Sequence, residues 1–191
     1  METSRQPSDV PVPRSTPAKN QFTAVDVRSI LCERGWLEAD SGAEAGANMR
    51  LWLFRAATLL GPQAADHNEL ESLLSLVFEY DAAVLLNDSA SQSVMARSGA
   101  REVICELARL VLDGPEIDSD SFKEIIESMK SAVPYRSRDM FLPVRLALAG
   151  RAGNGEMDRV ILLLDSASKL NFCKPVKSTR QRMLEFCTAL D

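Results

Sequence analysis

The sequence predicts an all-α protein, a compact bundle of about seven to eight helices. Three observations predict it. Apolar residues recur at i, i+3, i+4 and i+7 in segment after segment, the period of a helix that buries one face. No segment sustains the period-2 alternation of a half-buried strand, and no hairpin dipeptide stands between alternating runs. The segments are separated by Gly-Pro, Asp-Gly-Pro and Val-Pro, which halt a helix because proline cannot continue one. With 191 residues, 46% of them hydrophobic, the chain can bury one core of ordinary domain size.

Residues 1–21 hold four of the nine prolines among Ser, Thr, Arg and Lys, with no helical or strand period. That composition predicts a disordered, partly polyproline-like arm, leaving 22–191 as the helical domain. The first helix starts at Thr23, where Asp26 three residues on resembles a capping box, and Val27, Ile30 and Leu31 form its apolar face before Gly35. Residues 38–46 read as an Ala/Gly loop. A second helix spans Ala47 to Leu60, with Leu51, Trp52, Phe54, Ala56 and Leu59 as its apolar content, and stops at Gly61-Pro62. A third runs from about Asp66 to Leu86 on Leu70, Leu73, Leu74, Val77 and Leu85. A fourth runs from Ser91 to Leu112 on Val103, Leu107, Leu110 and Val111. Gly99 weakens it by about 1 kcal/mol relative to alanine, so a kink or a split there is expected.

After Asp113-Gly114-Pro115, Ser119 or Ser121 caps a fifth helix on Phe122, Ile125, Ile126 and Met129. A sixth spans Ser137 to Gly150, with Pro143 tolerated in its first turns. A seventh covers about 155–165, and a last one follows Pro175 and Ser178 to about Ala189 on Met183, Leu184, Phe186 and Cys187. Trp36 and Trp52 are open between core and surface.

The residues offer little chemistry. His67 is the one histidine, at a helix start, which leaves no histidine pair for acid–base work or for a multi-histidine metal site. Neither a metal nor a cofactor is expected. Cys32, Cys105, Cys173 and Cys187 are far apart without a CxxC spacing, the pattern of free thiols in or near the core of a cytoplasmic protein. The N-terminus lacks a signal-peptide apolar region, and stretches such as Val160 to Leu164 are far too short to cross a bilayer. Gly150-Arg151-Ala152-Gly153-Asn154-Gly155 follows a helix rather than a strand and lacks a downstream Lys-Ser/Thr. It reads as a turn rather than a phosphate loop. Glu124 and Glu127 sit on a solvated face.

Charge is unevenly distributed. Residues 134–191 carry 10 Lys/Arg against 6 Asp/Glu, a surplus of +4 in a chain of net −5, so the first 133 residues carry −9. A basic rear and an acidic front can orient the molecule toward a polyanion.

Phe141-Leu142-Pro143-Val144-Arg145-Leu146-Ala147-Leu148-Ala149-Gly150 is the most specific stretch. It resembles the Phe-x-Pro-Leu/Val-Arg-x-Ala-Leu-Thr/Ser-Gly motif of bacterial glutamyl-tRNA synthetases, class I enzymes whose motif lies in their helical anticodon-binding half. Leu163-Leu164-Asp165 is similar to the Leu-Leu-Gly that follows it. The resemblance is strong over 119–165 and weak over 47–118; it covers neither the arm nor the last helix. Ala149 stands where the family has Thr or Ser, Asn154-Gly155 where it often has Gly-Pro, and Asp165 where it has Gly. No His-x-Gly-His is possible with one histidine, and nothing resembles Lys-Met-Ser-Lys-Ser.

The resemblance implies the helical cage of an anticodon-binding domain without its catalytic partner, a non-enzymatic binder of tRNA or a related RNA. Arg136, Arg138, Arg145, Arg151 and Arg159 are the candidate RNA contacts. Such arginines give salt-dependent affinity for phosphates, and their guanidinium planes can stack on unpaired bases. Arg145 has an alternative role, locking two helices through a carboxylate. Two other functions fit the residues: a scaffold that binds a protein partner, and a regulator acting in trans on a synthetase.

Overall fold

The computed structural model describes residues 21–38, 46–153 and 158–191. Within them lie ten α-helices: α1 Ala24–Glu33, α2 Ala47–Leu60, α3 His67–Phe78, α4 Ala82–Asn87, α5 Ser89–Met95, α6 Ala100–Asp113, α7 Ser119–Ala132, α8 Arg138–Ala149, α9 Asp158–Ala167 and α10 Thr179–Leu190. Among the described residues there is no strand, so the all-α expectation holds. The predicted arm over 1–20, the loop over 39–45 and residues 154–157 lie outside the described residues. Gln21 already belongs to the fold, its side-chain amide donating to the Ala65 carbonyl at 2.7 Å.

Helix starts follow local chemistry. The Thr23 backbone N–H donates to Asp26 Oδ2 at 2.7 Å, and the Val25 N–H donates to Thr23 Oγ1 at 3.3 Å, a capping box that uses Asp in place of Glu. The cap of α7 is Asp118, one residue before the predicted Ser119. Its Oδ1 accepts the N–H groups of Asp120 and Ser121 at 3.0 and 2.9 Å, while Ser121 Oγ accepts the Asp118 N–H at 2.8 Å. Ser178 caps α10 reciprocally with Gln181.

Hydrogen bonds from Thr23 hold the Asp26 carboxyl below its ordinary pKa, and those from Ser121 and Asp120 do the same for Asp118. For a carboxylate depressed in the folded state, the stabilisation is complete above the unfolded pKa of about 3.9 and is lost as pH falls through the lower folded value. Amide exchange in the first turns of α1 and α7, corrected for intrinsic rates, is therefore expected to speed up under acid before the first turn of α10, whose cap is a hydroxyl. Equal acid responses of the three turns would contradict this.

The predicted third helix is divided, which raises the count, and the predicted fourth divides at Gly99, where a kink or split was expected. The long third helix stops at Phe78 because Tyr80 is buried and donates its hydroxyl to the Ala147 carbonyl at 2.6 Å. Lys177 Nζ takes the Tyr80 carbonyl, and Asp81 then caps α4 by accepting the Val84 N–H at 3.0 Å. The fourth splits into α5 and α6 where Gly99 adopts φ +82°, the left-handed region that glycine enters without penalty.

Helix α8 forms the centre. Val144 and Leu146 through Ala149 are fully buried, and α5, α6, α9 and α10 pack around them. Helix α2 joins α1 to α9 on one flank. Both tryptophans are core. Trp36 stacks on Phe78 at 4.6 Å, Trp52 meets Phe172 edge-on at 5.1 Å, and Trp52 Nε1–H donates to the Leu163 carbonyl at 3.2 Å. Each such ring pair adds about 0.5–1.5 kcal/mol beyond area burial.

Leu51 and Phe54 face outward, 65% and 63% exposed, because the inner stripe of α2 follows Met49, Trp52, Leu53, Ala56, Ala57 and Leu60. At about 100° per residue, 51 and 54 fall off that stripe. The cysteines are free, but Cys105 and Cys173 are exposed and only Cys32 and Cys187 are half-buried. No described helix is long and apolar enough to cross a membrane.

Candidate nucleic-acid interface

Helix α8 carries the motif, and the five candidate arginines are arranged along and beyond it. Its entry is strained. Ser137 holds φ +49° and ψ −126°, the one positive-φ non-glycine among the described residues, and its side chain does not cap the helix. A backbone of that kind costs on the order of 1–3 kcal/mol and persists only where surroundings impose it. Pro143 is the sixth residue of α8 rather than part of its first turn, so the Asp139 carbonyl loses the amide it would otherwise accept. The ring is buried, which offsets part of that loss.

Twelve residues of helix span about 18 Å, so the arginines cannot form one cluster. Arg136 and Arg138 flank Ser137 at the N-terminal end, both exposed. The Arg136 guanidinium folds back on the carbonyls of Val133 and Tyr135, at 2.5 and 2.7 Å. Arg145 sits in the middle and is engaged. It forms a two-point ion pair with Asp158 of α9, Nε–Oδ1 at 2.9 Å and Nη2–Oδ2 at 3.2 Å, and lies over the Phe141 ring at 5.5 Å. The side chain is 19% exposed, so the pairing role is realised for Arg145. Val144 and Leu148 are buried, while Phe141 is half-buried beneath that guanidinium.

Arg151 and Arg159 lie at the far end. Arg151 approaches Ser72 Oγ of α3 at 3.5 Å, and Arg159 approaches the Leu59 carbonyl of α2 at 3.5 Å. Both are long, weak contacts. Gly150 ends α8 at φ +76° as a left-handed cap, the turn role expected of the glycine-rich stretch. His67 is the exposed first residue of α3.

Two buried charged groups escaped the sequence reading. Arg182 of α10 is fully buried, and Asp165 of α9 is 6% exposed. A signal for Arg182 was present: Thr179, Arg182, Met183 and Phe186 stand at i, i+3, i+4 and i+7, so an arginine occupies the apolar register of its helix. Asp165 lines the clefts on both sides of α9, but its oxygens are taken by the N–H of Ile117 and by the N–H and hydroxyl of Thr179. It acts as a structural tie.

No known family profile matches the chain, and no solved structure matches it. Among curated proteins, the chain is 22% identical over 117 residues to "Glutamate--tRNA ligase 2" of Syntrophus aciditrophicus (strain SB). The alignment covers 61% of this chain and 24% of the ligase, so the chain spans about a quarter of the length of the relative it matches. The likeness supports a relationship to a tRNA synthetase.

Proposed function

We propose that this protein is a non-catalytic RNA-binding module derived from the anticodon-binding part of a glutamyl-tRNA synthetase, with tRNA or a related RNA as its partner. The carrying observation is the likeness to a glutamate–tRNA ligase in a chain whose central helix bears the Phe141–Gly150 motif. The all-helical architecture, the +4 surplus of residues 134–191 and the exposed arginines at the entry of α8 agree with it. Arg136, Arg138, Arg151 and Arg159 are the motif-region arginines proposed to meet phosphates, while Arg145 is paired with Asp158. The sequence has neither the His-x-Gly-His nor the Lys-Met-Ser-Lys-Ser-like segment that would activate glutamate with ATP.

The test is a titration of the purified full chain with total tRNA across a salt series. Binding is expected at low salt, with a log–log slope near −0.7 per phosphate contacted if the bound segment is single-stranded. A folded chain that fails to bind tRNA at low salt would end this reading.

One observation favours a second reading, a scaffold for a protein partner: the outer face of α2 presents Leu51 and Phe54 to solvent. Leu51→Ser/Phe54→Ser lowering capture of a protein, with tRNA binding unchanged, would support it. Regulation in trans of a synthetase from the same source is distinguished by adding the chain to an aminoacylation assay; no change in rate removes it.

A further inference from the structure

Gly99 and Tyr135 are 36 positions apart in the sequence, yet they touch. A Cβ on Gly99 would stand 1.9 Å from the Tyr135 ring, so the ring lies directly against the glycine backbone. The ring is fixed there by its hydroxyl, which donates to Glu102 at 3.0 Å. A second tie runs alongside, Arg97 to Asp139, with Nη2 and Nε at 2.6 and 2.8 Å from the same carboxylate oxygen. Two short stretches, 97–101 at the entry of α6 and 135–138 at the entry of α8, are thereby joined into one surface.

That surface displays four exposed arginines, Arg97, Arg101, Arg136 and Arg138, against two carboxylates, Glu102 and Asp139. The local surplus is therefore positive in a chain whose net charge is −5. Arg97 shares Asp139, and Arg136 is braced by two carbonyls, which fixes the direction of its guanidinium. The strained Ser137 stands between Arg136 and Arg138. Arg145, in the middle of α8, pairs with Asp158, and Arg151 and Arg159 beyond its other end approach Ser72 and the Leu59 carbonyl.

We infer that the surface built from residues 97–101 and 135–138 is where this chain grips the sugar–phosphate backbone of its RNA. The inference rests on the RNA-binding reading above and places Arg97 and Arg101, outside the motif, in the interface. The chemistry is that of guanidinium groups on phosphate oxygens, which is charge-assisted, indifferent to base identity and sensitive to salt.

The experiment compares four full-length proteins with total tRNA as the probe: wild type, Arg101→Ala/Arg138→Ala, Arg101→Lys/Arg138→Lys, and Arg109→Ala/Lys130→Ala. The last removes the same charge from exposed positions of α6 and α7 elsewhere. Circular dichroism and thermal midpoints establish that each is folded. The alanine pair at the proposed surface is expected to lose at least about tenfold in affinity, and its salt slope is expected to shrink by about 1.4, two contacts at about 0.7 each. The lysine pair should keep most of the binding, and the Arg109/Lys130 pair nearly all of it. Wild-type binding with both alanine pairs weakened equally, or with neither weakened, overturns this surface and leaves the RNA reading intact. Failure of the wild type to bind tRNA overturns the reading itself. Binding of poly-glutamate through Arg101 and Arg138 without binding of tRNA overturns both in favour of an acidic protein partner.

Discussion

Arg182→Ala is expected to destabilise the fold by about 3–5 kcal/mol, read as a fall in the urea midpoint at constant slope. The guanidinium is fully buried, and its nearest partners are carbonyls rather than carboxylates. Nη1 donates to Leu148 at 2.8 Å, Nη2 to Val77 at 2.6 Å and Nε to Lys177 at 3.3 Å. Val77 and Leu148 are the penultimate residues of α3 and α8, so Arg182 meets the unpaired carbonyls and the negative dipole ends of two helices at once. The Tyr80 ring packs against it at 4.6 Å, with its own hydroxyl on Ala147. Burial lowers the Arg182 pKa to about 10, which still leaves a cation at neutral pH. Burial likewise raises the Tyr80 pKa, so the phenol stays a donor.

Truncation to alanine would leave a cavity and at least two buried carbonyls without donors, at about 1–3 kcal/mol for each unmet group. Arg182→Lys separates charge from geometry. A single ammonium cannot fork across two helix ends, so about half the loss is expected to remain. A cost below about 1 kcal/mol for Arg182→Ala would mean that α3 and α8 are held by apolar packing alone.

The helix boundaries legible in the sequence were those written by local chemistry. Thr23 with Asp26, Gly61-Pro62, Asp113-Gly114-Pro115 and Val133-Pro134 each mark an observed start or stop. The break at 79–81 was not legible, because nothing local forbids a helix there. It is imposed by Tyr80 reaching Ala147 and by Lys177 reaching Tyr80, contacts across 67 and 97 positions. The same holds for the candidate interface. Five arginines close in sequence become two groups once a helix of about 18 Å lies between them. The stretch before Arg101 meets the one that carries Arg136 and Arg138 through Tyr135 resting on Gly99 and through the Arg97–Asp139 pair. Periodicity did not single out one buried face of α2, which is apolar on more than one side, and Leu51 and Phe54 stand exposed.

Asp165→Ala is expected to cost about 3 kcal/mol, with Asp165→Gly about 1 kcal/mol worse, since glycine also weakens the interior of α9. Glycine is the residue carried here by the motif that the stretch resembles, so the second variant asks whether this fold accepts it. The carboxylate accepts the Ile117 N–H at 2.6 Å, the Thr179 N–H at 2.7 Å, and the Thr179 hydroxyl at 2.9 and 2.8 Å on its two oxygens. One side chain thereby ties α9 both to the connection between α6 and α7 and to the first residue of α10. Removing it strands two backbone donors and a hydroxyl in a site that is 6% exposed. Asp165→Asn should fall between wild type and alanine, because one acceptor becomes an NH₂ facing a donor.

Amide exchange at Ile117 and Thr179 gives the local readout, and both should open together in Asp165→Ala while the Arg97–Asp139 end of the molecule stays protected. Stability of Asp165→Gly equal to wild type would show that water takes over the carboxylate's bonds. The substitution would then be a neutral exchange rather than the tie that holds α10 onto α9. In the expected case, the departure from the motif and the last helix are coupled. Asp165 supplies the acceptor that anchors α10, and α10 in turn carries Arg182 into the centre beneath α3 and α8.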